Sequence, residues 1–375
     1  MNGFTGWWRT VGVLVGLELR QRTRATRWRV LLGVFFAFVS LVVFGSRWFS
    51  AQGNHGTPGD EWGTNLYFFV LGFVGFLGLV IAPTMTATSI NGDRKDATLA
   101  VVQATPTSGL QLAMGKLLGA WIASCALLVV SAPYLAWAVA EAPYPVGRSL
   151  LGIGVVALIF LAYCGIGLGM SAFFSRPIGS AAVTQLTMLF LLVGLPVLAA
   201  ALVPTTSEQV TYVTTDWDYD RTTGKSTCRE VTATRDVAHT NRIWWIVAPN
   251  PAVVFADAAS ASDPGRDRTL DGSWADYRAD DTPRPRETGL GGLADTVSTF
   301  RAGERTPLER RCVSDTPSRD TYYYGSYYDQ DNSYVGRTWY WGLLANLALG
   351  GIGLAFAARR LRVPAANLPR GVRIA

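Results

Sequence analysis

The sequence predicts an all-α polytopic membrane protein with six transmembrane helices, an N-terminal amphipathic helix, and a mixed α/β extracytoplasmic insert between helices 5 and 6. Three observations carry this. Of the 375 residues, 49% are apolar and only 16% charged, too oily for an ordinary soluble enzyme. The charge is also unevenly placed. Residues 204–338 hold 16 Lys and Arg against 21 Asp and Glu, a net −5, and the rest of the chain is net +11. Finally, six windows almost free of charge approach the roughly 20 residues that a helix needs to cross a bilayer core of about 30 Å.

The windows run Val30–Gly45, Leu66–Ala87, Leu117–Ala140, Leu150–Phe174, Ile178–Val203 and Trp339–Ala358. The first is short, but it spans if Arg29 and Arg47 snorkel to the two interfaces and Trp28 and Trp48 anchor there. It reads as an uncleaved signal anchor, since no small-residue cleavage site follows and five further spans do. Orientation follows from the short loops. One side carries Arg9, Arg20, Arg22, Arg24, Arg27, Arg29, Arg94, Lys95, Lys116, Arg176 and the five arginines after the last span; the other carries only Arg47 and Arg148. The positive-inside rule then makes both termini cytoplasmic and the long insert external. The expected divisions are residues 1–29, an amphipathic helix; 30–203, spans one to five with a cytoplasmic loop at 88–116; 204–338, the external domain; 339–358, the sixth span; and 359–375, a tail. The basic excess lies at the ends of apolar segments, so it sets topology and gives no reason to expect nucleic acid as a partner.

Within the insert, Gln209–Thr215 and Cys228–Ala233 alternate and are β-branched, the pattern of a hairpin. Ile243–Ala259 is apolar but broken by Pro249 and Pro251, which suits short helices lying at the outer interface. Ser260–Arg286 reads as a loop. Tyr322–Tyr334 is a ligand-binding aromatic strip, an edge strand or an interface belt. Cys228 and Cys312 are the only cysteines of the insert. An oxidising exterior favours pairing them, the alternative being two reduced, buried thiols.

None of the six windows contains an Asp, Glu, Lys, Arg or His. Ion-driven carriers and intramembrane enzymes rely on such groups, which argues against an autonomous pump or an intramembrane protease. Gly224-Lys225-Ser226-Thr227 imitates the end of a phosphate loop, but Tyr219 stands where that loop needs its first glycine. His55 and His239 have no Cys or His at ligand spacing, so no metal site and no catalytic residue is expected in this chain. Gly165 and Gly169 form a small-xxx-small pair in the fourth span that can seat another helix.

Two segments on the basic side remain. Trp7–Arg27 places Trp8, Val11, Val15 and Leu19 on one helical face, with Arg9, Arg20, Arg24 and Arg27 opposite. Glu18 and Arg22 interrupt the oily face and are expected to pair at i,i+4. The segment is an in-plane amphipathic helix or, more plainly, a positive-inside flank. The loop after the second span is too long for a turn. Its cluster Asp93-Arg94-Lys95-Asp96, with Thr98 and Leu99 following, offers charge and oil together to something in the cytoplasm, or is a solvated loop.

At this loop the residues resemble the permease subunits of type-2 ABC exporters. Pro83, Ser89-Ile90, Asp93-Arg94-Lys95-Asp96, Thr98-Leu99, Ala104-Thr105-Pro106 and Gly115-Lys116 follow that family's order, and Glu18-Leu19-Arg20 with Arg24 is similar to its basic helix before the first span. Asp93 stands where glutamate is commoner and Ala97 where glycine is usual, and no module is recognised in the insert. The resemblance implies a coupling element within 91–111, carried by Asp93, Arg94, Lys95, Asp96, Thr98 and Leu99, that docks on a separate ABC ATPase subunit. ATP and magnesium belong to that partner, with no cofactor in this chain. A second permease chain, identical or not, would complete the translocation path in a bacterial plasma membrane. The competing expectation is a membrane-anchored sensor or assembly factor that binds a cell-envelope ligand through the external domain.

Overall fold

The computed structural model describes residues 3–53, 60–95, 107–142, 145–220, 225–260, 290–303 and 334–361. Six helical stretches in it are long and apolar enough to cross a membrane: Thr26–Phe49, Leu66–Lys95, Gly109–Val130, Val146–Phe173, Pro177–Thr206 and Trp339–Arg360. Each expected window therefore meets a helix, with shifted boundaries. Helix α1 (Gly3–Arg24) is parted from α2 (Thr26–Gly53) at Ala25 alone, so the apolar core of the first span is lengthened at both ends. Helices α3 (Asp60–Ala87) and α4 (Ser89–Lys95) are parted at Thr88.

The third span differs most from its expected window. Ser108 caps α5 (Gly109–Val130): its Oγ accepts from the Gln111 amide at 3.2 Å, and its own amide donates to Gln111 Oε1 at 2.8 Å. This reciprocal pair fixes a helix start that hydropathy does not see. The span thus begins at Gly109 rather than Leu117, and Lys116 lies inside it, against the expectation of spans free of ionisable groups. At the far end Pro133 cannot donate within a continuing helix. The chain breaks at Ser131 and restarts as α6 (Ala132–Glu141), so the expected single window is two helices.

Helix α7 (Val146–Phe173) is the fourth span, and the fifth is composite: α8 (Pro177–Leu189), a π-helical turn at Phe190–Gly194, α9 (Leu195–Leu202) and a 3-10 turn at Val203–Thr206. The insert opens with β1 (Ser207–Asp220) and β2 (Lys225–Ala238), antiparallel with Val210 opposite Arg235 and Val213 opposite Thr232. Both expected strands lie in this hairpin, which is longer than they are. Lys225–Thr227 begin β2, so the apparent phosphate-loop ending is a strand. Two 3-10 turns, Thr240–Arg242 and Trp244–Ile246, lead to α10 (Pro251–Ala259); then come α11 (Leu290–Ala302) and the sixth span, α12 (Trp339–Arg360). Cys312, the loop at 261–289 and all of the Tyr-rich strip except Tyr334 lie outside the described residues.

Of residues 243–259, expected as short helices at the outer interface, Trp245 is exposed but α10 is not. Nearly all of α10 is buried. Phe255 faces Gly75 of α3, Ala259 faces Gly152 of α7, and Val254 faces Gly342 of α12. At the turn before α10, Asn250 Nδ2 donates to Leu192 O in the π turn at 2.7 Å, and Asn346 Nδ2 donates to Pro249 O at 2.8 Å. Leu192 is ten residues below Leu202, about 15 Å along a helix axis. The segment therefore dips into the bundle from the end that carries the insert. The reason is compositional: apart from Asp257 the helix is apolar on every side and must be covered on every side.

The return to α12 is held by one carboxylate. Asp257 on α10 accepts from the amides of Gly336 (2.7 Å), Thr338 (2.7 Å) and Trp339 (2.8 Å). Burial pushes its carboxyl up from the ordinary value, while these amides and the nearby Arg301 favour the charged form and hold the rise back. Gly336 supplies the left-handed backbone, φ +73°, that aims its amide there.

Helix α7 is the hub, packing against α3, α4, α5, α6, α8, α10 and α12, with Phe160, Tyr163, Cys164 and Leu168 fully buried. The pair Gly165 and Gly169 does seat another helix, and it is α12. A Cβ on Gly165 would stand 2.5 Å from Gly350 O, and one on Gly169 2.6 Å from Gly353 Cα. On the facing side a Cβ on Gly350 would stand 2.5 Å from Ala162 O. The backbones themselves are in contact, as small-residue interfaces in membranes allow.

Gly350→Leu is expected to destabilise the bundle by about 3 kcal/mol or more, the upper end for overpacking, because the obstacle is backbone. Gly351→Leu, where a Cβ meets nothing within 4 Å, should change little. Thermal unfolding of the two variants in one detergent decides it, and equal losses would contradict the crossing.

Candidate coupling site

The two segments that the sequence singles out meet on one helix, the first half of α5. Helix α1 lies against it with Leu14 over Gly115 and Glu18 over Gly119: a Cβ on either glycine would stand 2.6 Å from the Leu14 side chain or 2.7 Å from Glu18 Cγ. The i,i+4 pair forms as expected, Arg22 Nη2 to Glu18 Oε1 at 2.7 Å, and the same nitrogen reaches Met85 O of α3 at 3.4 Å. Both side chains are four-fifths buried. The pair thus belongs to the packing face of α1 with Val11 and Leu14, and does not interrupt an oily face turned to lipid. Trp8, Arg20 and Arg24 are exposed, as are Phe4, Val13 and Leu17.

Helix α4 meets α5 by charge. Asp93 Oδ2 is 2.6 Å from Lys116 Nζ, with the lysine side chain 10% exposed and the aspartate 35%. Lys116 was read from sequence as a loop cation; the helix start at Gly109 turns it inward as the partner of Asp93. The break at Thr88 is held from the side. Ser180 Oγ of α8 donates to Ala87 O at 2.6 Å, and Ser171 Oγ of α7 accepts from the amides of Ile90 (3.0 Å) and Asn91 (3.3 Å). These bonds satisfy backbone groups that a helix break leaves unpaired. Arg94 and Lys95 point to solvent, whereas Asp96, Thr98 and Leu99 lie outside the described residues.

Helix α1 therefore rests on α5 through the glycine seats, while the short α4 packs on α7 and α3 and reaches α5 through the Asp93–Lys116 ion pair. Among the described residues no group of three or more His, Cys, Asp or Glu stands together as a metal site.

Residues 31–215 match the ABC-2 family transporter protein family. Over that stretch the chain is similar to the ABC-2 transporter family, which supports an ABC-2 type permease. The match takes in the core of the first span, the next four spans, α4 and the first part of β1; α1 and the sixth span fall outside it. No curated protein matches the chain. That match and the six apolar helices support a multi-pass membrane protein of the ABC permease type, as the residues around Asp93 suggested.

Sequence reasoning missed Gly115, Lys116 and Gly119 as a seat. Two signals were present: Ser108-x-x-Gln111, which announces the helix start, and Gly115-x-x-x-Gly119, which announces a close neighbour.

Removing one partner of the ion pair should expose its worth. Asp93→Asn is expected to cost about 1–3 kcal/mol, less than a fully buried pair because Asp93 is partly exposed. The exchange Asp93→Lys with Lys116→Asp should recover more than half of it in a double-mutant cycle on unfolding. Additive losses would mean that the pair is incidental.

Proposed function

We propose that this chain is the permease half of an ABC exporter that takes its energy from separate nucleotide-binding subunits. The family match supports a permease subunit with the ATPase on other chains. What supports coupling is α1 seated on α5 and α4 tied to it by the Asp93–Lys116 pair, with Arg94 exposed and free to meet a partner. The ATPase subunits, with ATP and magnesium, close on each other and press α4. The push passes through the ion pair into the third span and through the glycine seats into α1, and the path switches from inward-open to outward-open. Basic residues crowd the side that carries α1 and α4, which makes that side cytoplasmic and the hairpin end external. A second permease chain completes the path. The proposed divisions remain a basic N-terminal helix, five spans with the coupling loop, an external domain at 204–338 and a sixth span.

Uncoupling tests this. Arg94→Glu with Asp96→Lys leaves the Asp93–Lys116 pair intact and reverses the charges at 94 and 96. Surface pairs contribute only about 0–1 kcal/mol each, so both changes are made together. Co-purification with the ATPase and transport-linked turnover should fall at least several-fold with the chain still inserted. The matched change Arg266→Glu with Asp271→Lys, in the insert, should leave both intact. The reverse outcome would remove the coupling assignment.

We also propose a Cys228–Cys312 disulfide in the external domain, supported by an oxidising compartment and by these being the insert's two cysteines. A loop of that length is worth about 4 kcal/mol in the chain-entropy model. Peptide mapping without reductant should recover the crosslinked pair; two free thiols in protein from intact cells would refute it.

A further inference from the structure

An open cavity of about 620 Å³ lies between the end of α4 and the start of α8, lined by Lys95, Ser175, Arg176, Pro177, Ile178 and Gly179. Its two cations come from different elements. Neither side chain forms an ion pair or a hydrogen bond among the described residues, and both are exposed. Unpaired cations that line one concavity repel each other unless an anion sits between them.

The backbone at the same place also lacks partners. Arg176 is the N-cap of α8 and gives no side-chain cap, and Pro177 fills the first turn without an N–H. The next amides, of Ile178 and Gly179, have no carbonyl to meet within the helix. A Cβ on Gly179 would meet nothing within 4 Å, so an anion has access to them. A helix start by itself attracts any anion weakly; here it adds to a cavity already lined by two free cations.

The flank decides which anion. Ile178 is 84% exposed and Phe173, at the end of α7, 60%. Both stand at the ends of membrane spans, where charge gives way to acyl chains. A soluble anion would use the cations and leave this oil bare, whereas a phospholipid uses both. We propose that this cavity binds the headgroup phosphate of an anionic phospholipid, with an acyl chain along Ile178 and Phe173. Lys95 is the last residue of α4, so the headgroup bridges the candidate coupling helix to the fifth span. The site needs only a membrane-embedded chain. Its place in the inner leaflet rests on the topology proposed above.

Binding is read without any ATPase, so its failure is distinct from failure of the coupling assignment. Full-length protein in a nonionic detergent is titrated with phosphatidylglycerol, phosphatidylcholine or inorganic phosphate, and adducts are counted by native mass spectrometry. Phosphatidylglycerol should give a saturable first adduct, phosphatidylcholine none at that concentration, and millimolar phosphate should not displace it. Lys95→Gln with Arg176→Gln should weaken the first adduct about 30-fold, and each change alone about fivefold. Lys95→Arg with Arg176→Lys should retain it, as should Arg359→Gln with Arg360→Gln on α12. Should the double variant unfold, the two single variants decide. Equal binding of both lipids, wild-type affinity in the neutralised variants, or displacement by phosphate would each overturn the proposal.

Discussion

The contact on which the rest of this structure depends is the crossing of the fourth and sixth spans. In a bilayer, apolar side chains gain nothing by leaving lipid for protein, so helix association rests on close packing. Gly165 and Gly169 of α7 and Gly350 and Gly353 of α12 let the two backbones touch at that crossing. Because α12 comes this close, α7 sits at the centre, and α3, α5 and α10 arrange themselves around it. Gly78 of α3 accepts Phe160 by the same device, its missing Cβ leaving room for the ring.

Polar groups then fix what packing alone leaves free. At three irregular points a side chain from another element takes up a backbone group: Ser180 and Ser171 at Thr88, Asn250 at the π turn, Asn346 at Pro249. An unsatisfied amide or carbonyl in hydrocarbon costs several kcal/mol, so irregular backbone survives there only with such partners. The interruptions are therefore defined joints between rigid pieces.

How much of this was legible in the sequence depends on the kind of signal. Hydropathy located six spans because the bilayer imposes one length and one polarity on each. It misplaced the third, because Ser108 and Gln111 start that helix by hydrogen bonding and Pro133 ends the run by sterics, and neither contributes to an average. Alternation found the hairpin. Residues 243–259 were recognised as apolar and non-spanning, but whether such a segment lies on a bundle or enters it is decided by the room beside Gly75, Gly152 and Gly342, which is tertiary. At the candidate coupling site, the charges of 93–96 stood out, yet the inward role of Lys116 followed only once the helix start was known. Glu18 and Arg22 were paired correctly by spacing, while the face they occupy was not, since an ion pair on a buried face looks like an interruption.

The carboxylate that closes the insert sets an order of events during synthesis. Asp257 leaves the ribosome 82 residues before Trp339, the last of its three donors. At roughly 5–20 residues per second, about 4–16 s separate the two. Over that interval the aspartate has none of the amides that offset its burial, so entry of its helix among the first five spans is unfavourable. The carboxylate meets its three donor amides only when the start of the last span arrives. Docking of the segment and completion of the bundle then become a single event. A chain truncated ahead of Gly336 retains five spans but none of the three amides that Asp257 accepts from, a state that quality control can distinguish from the finished protein.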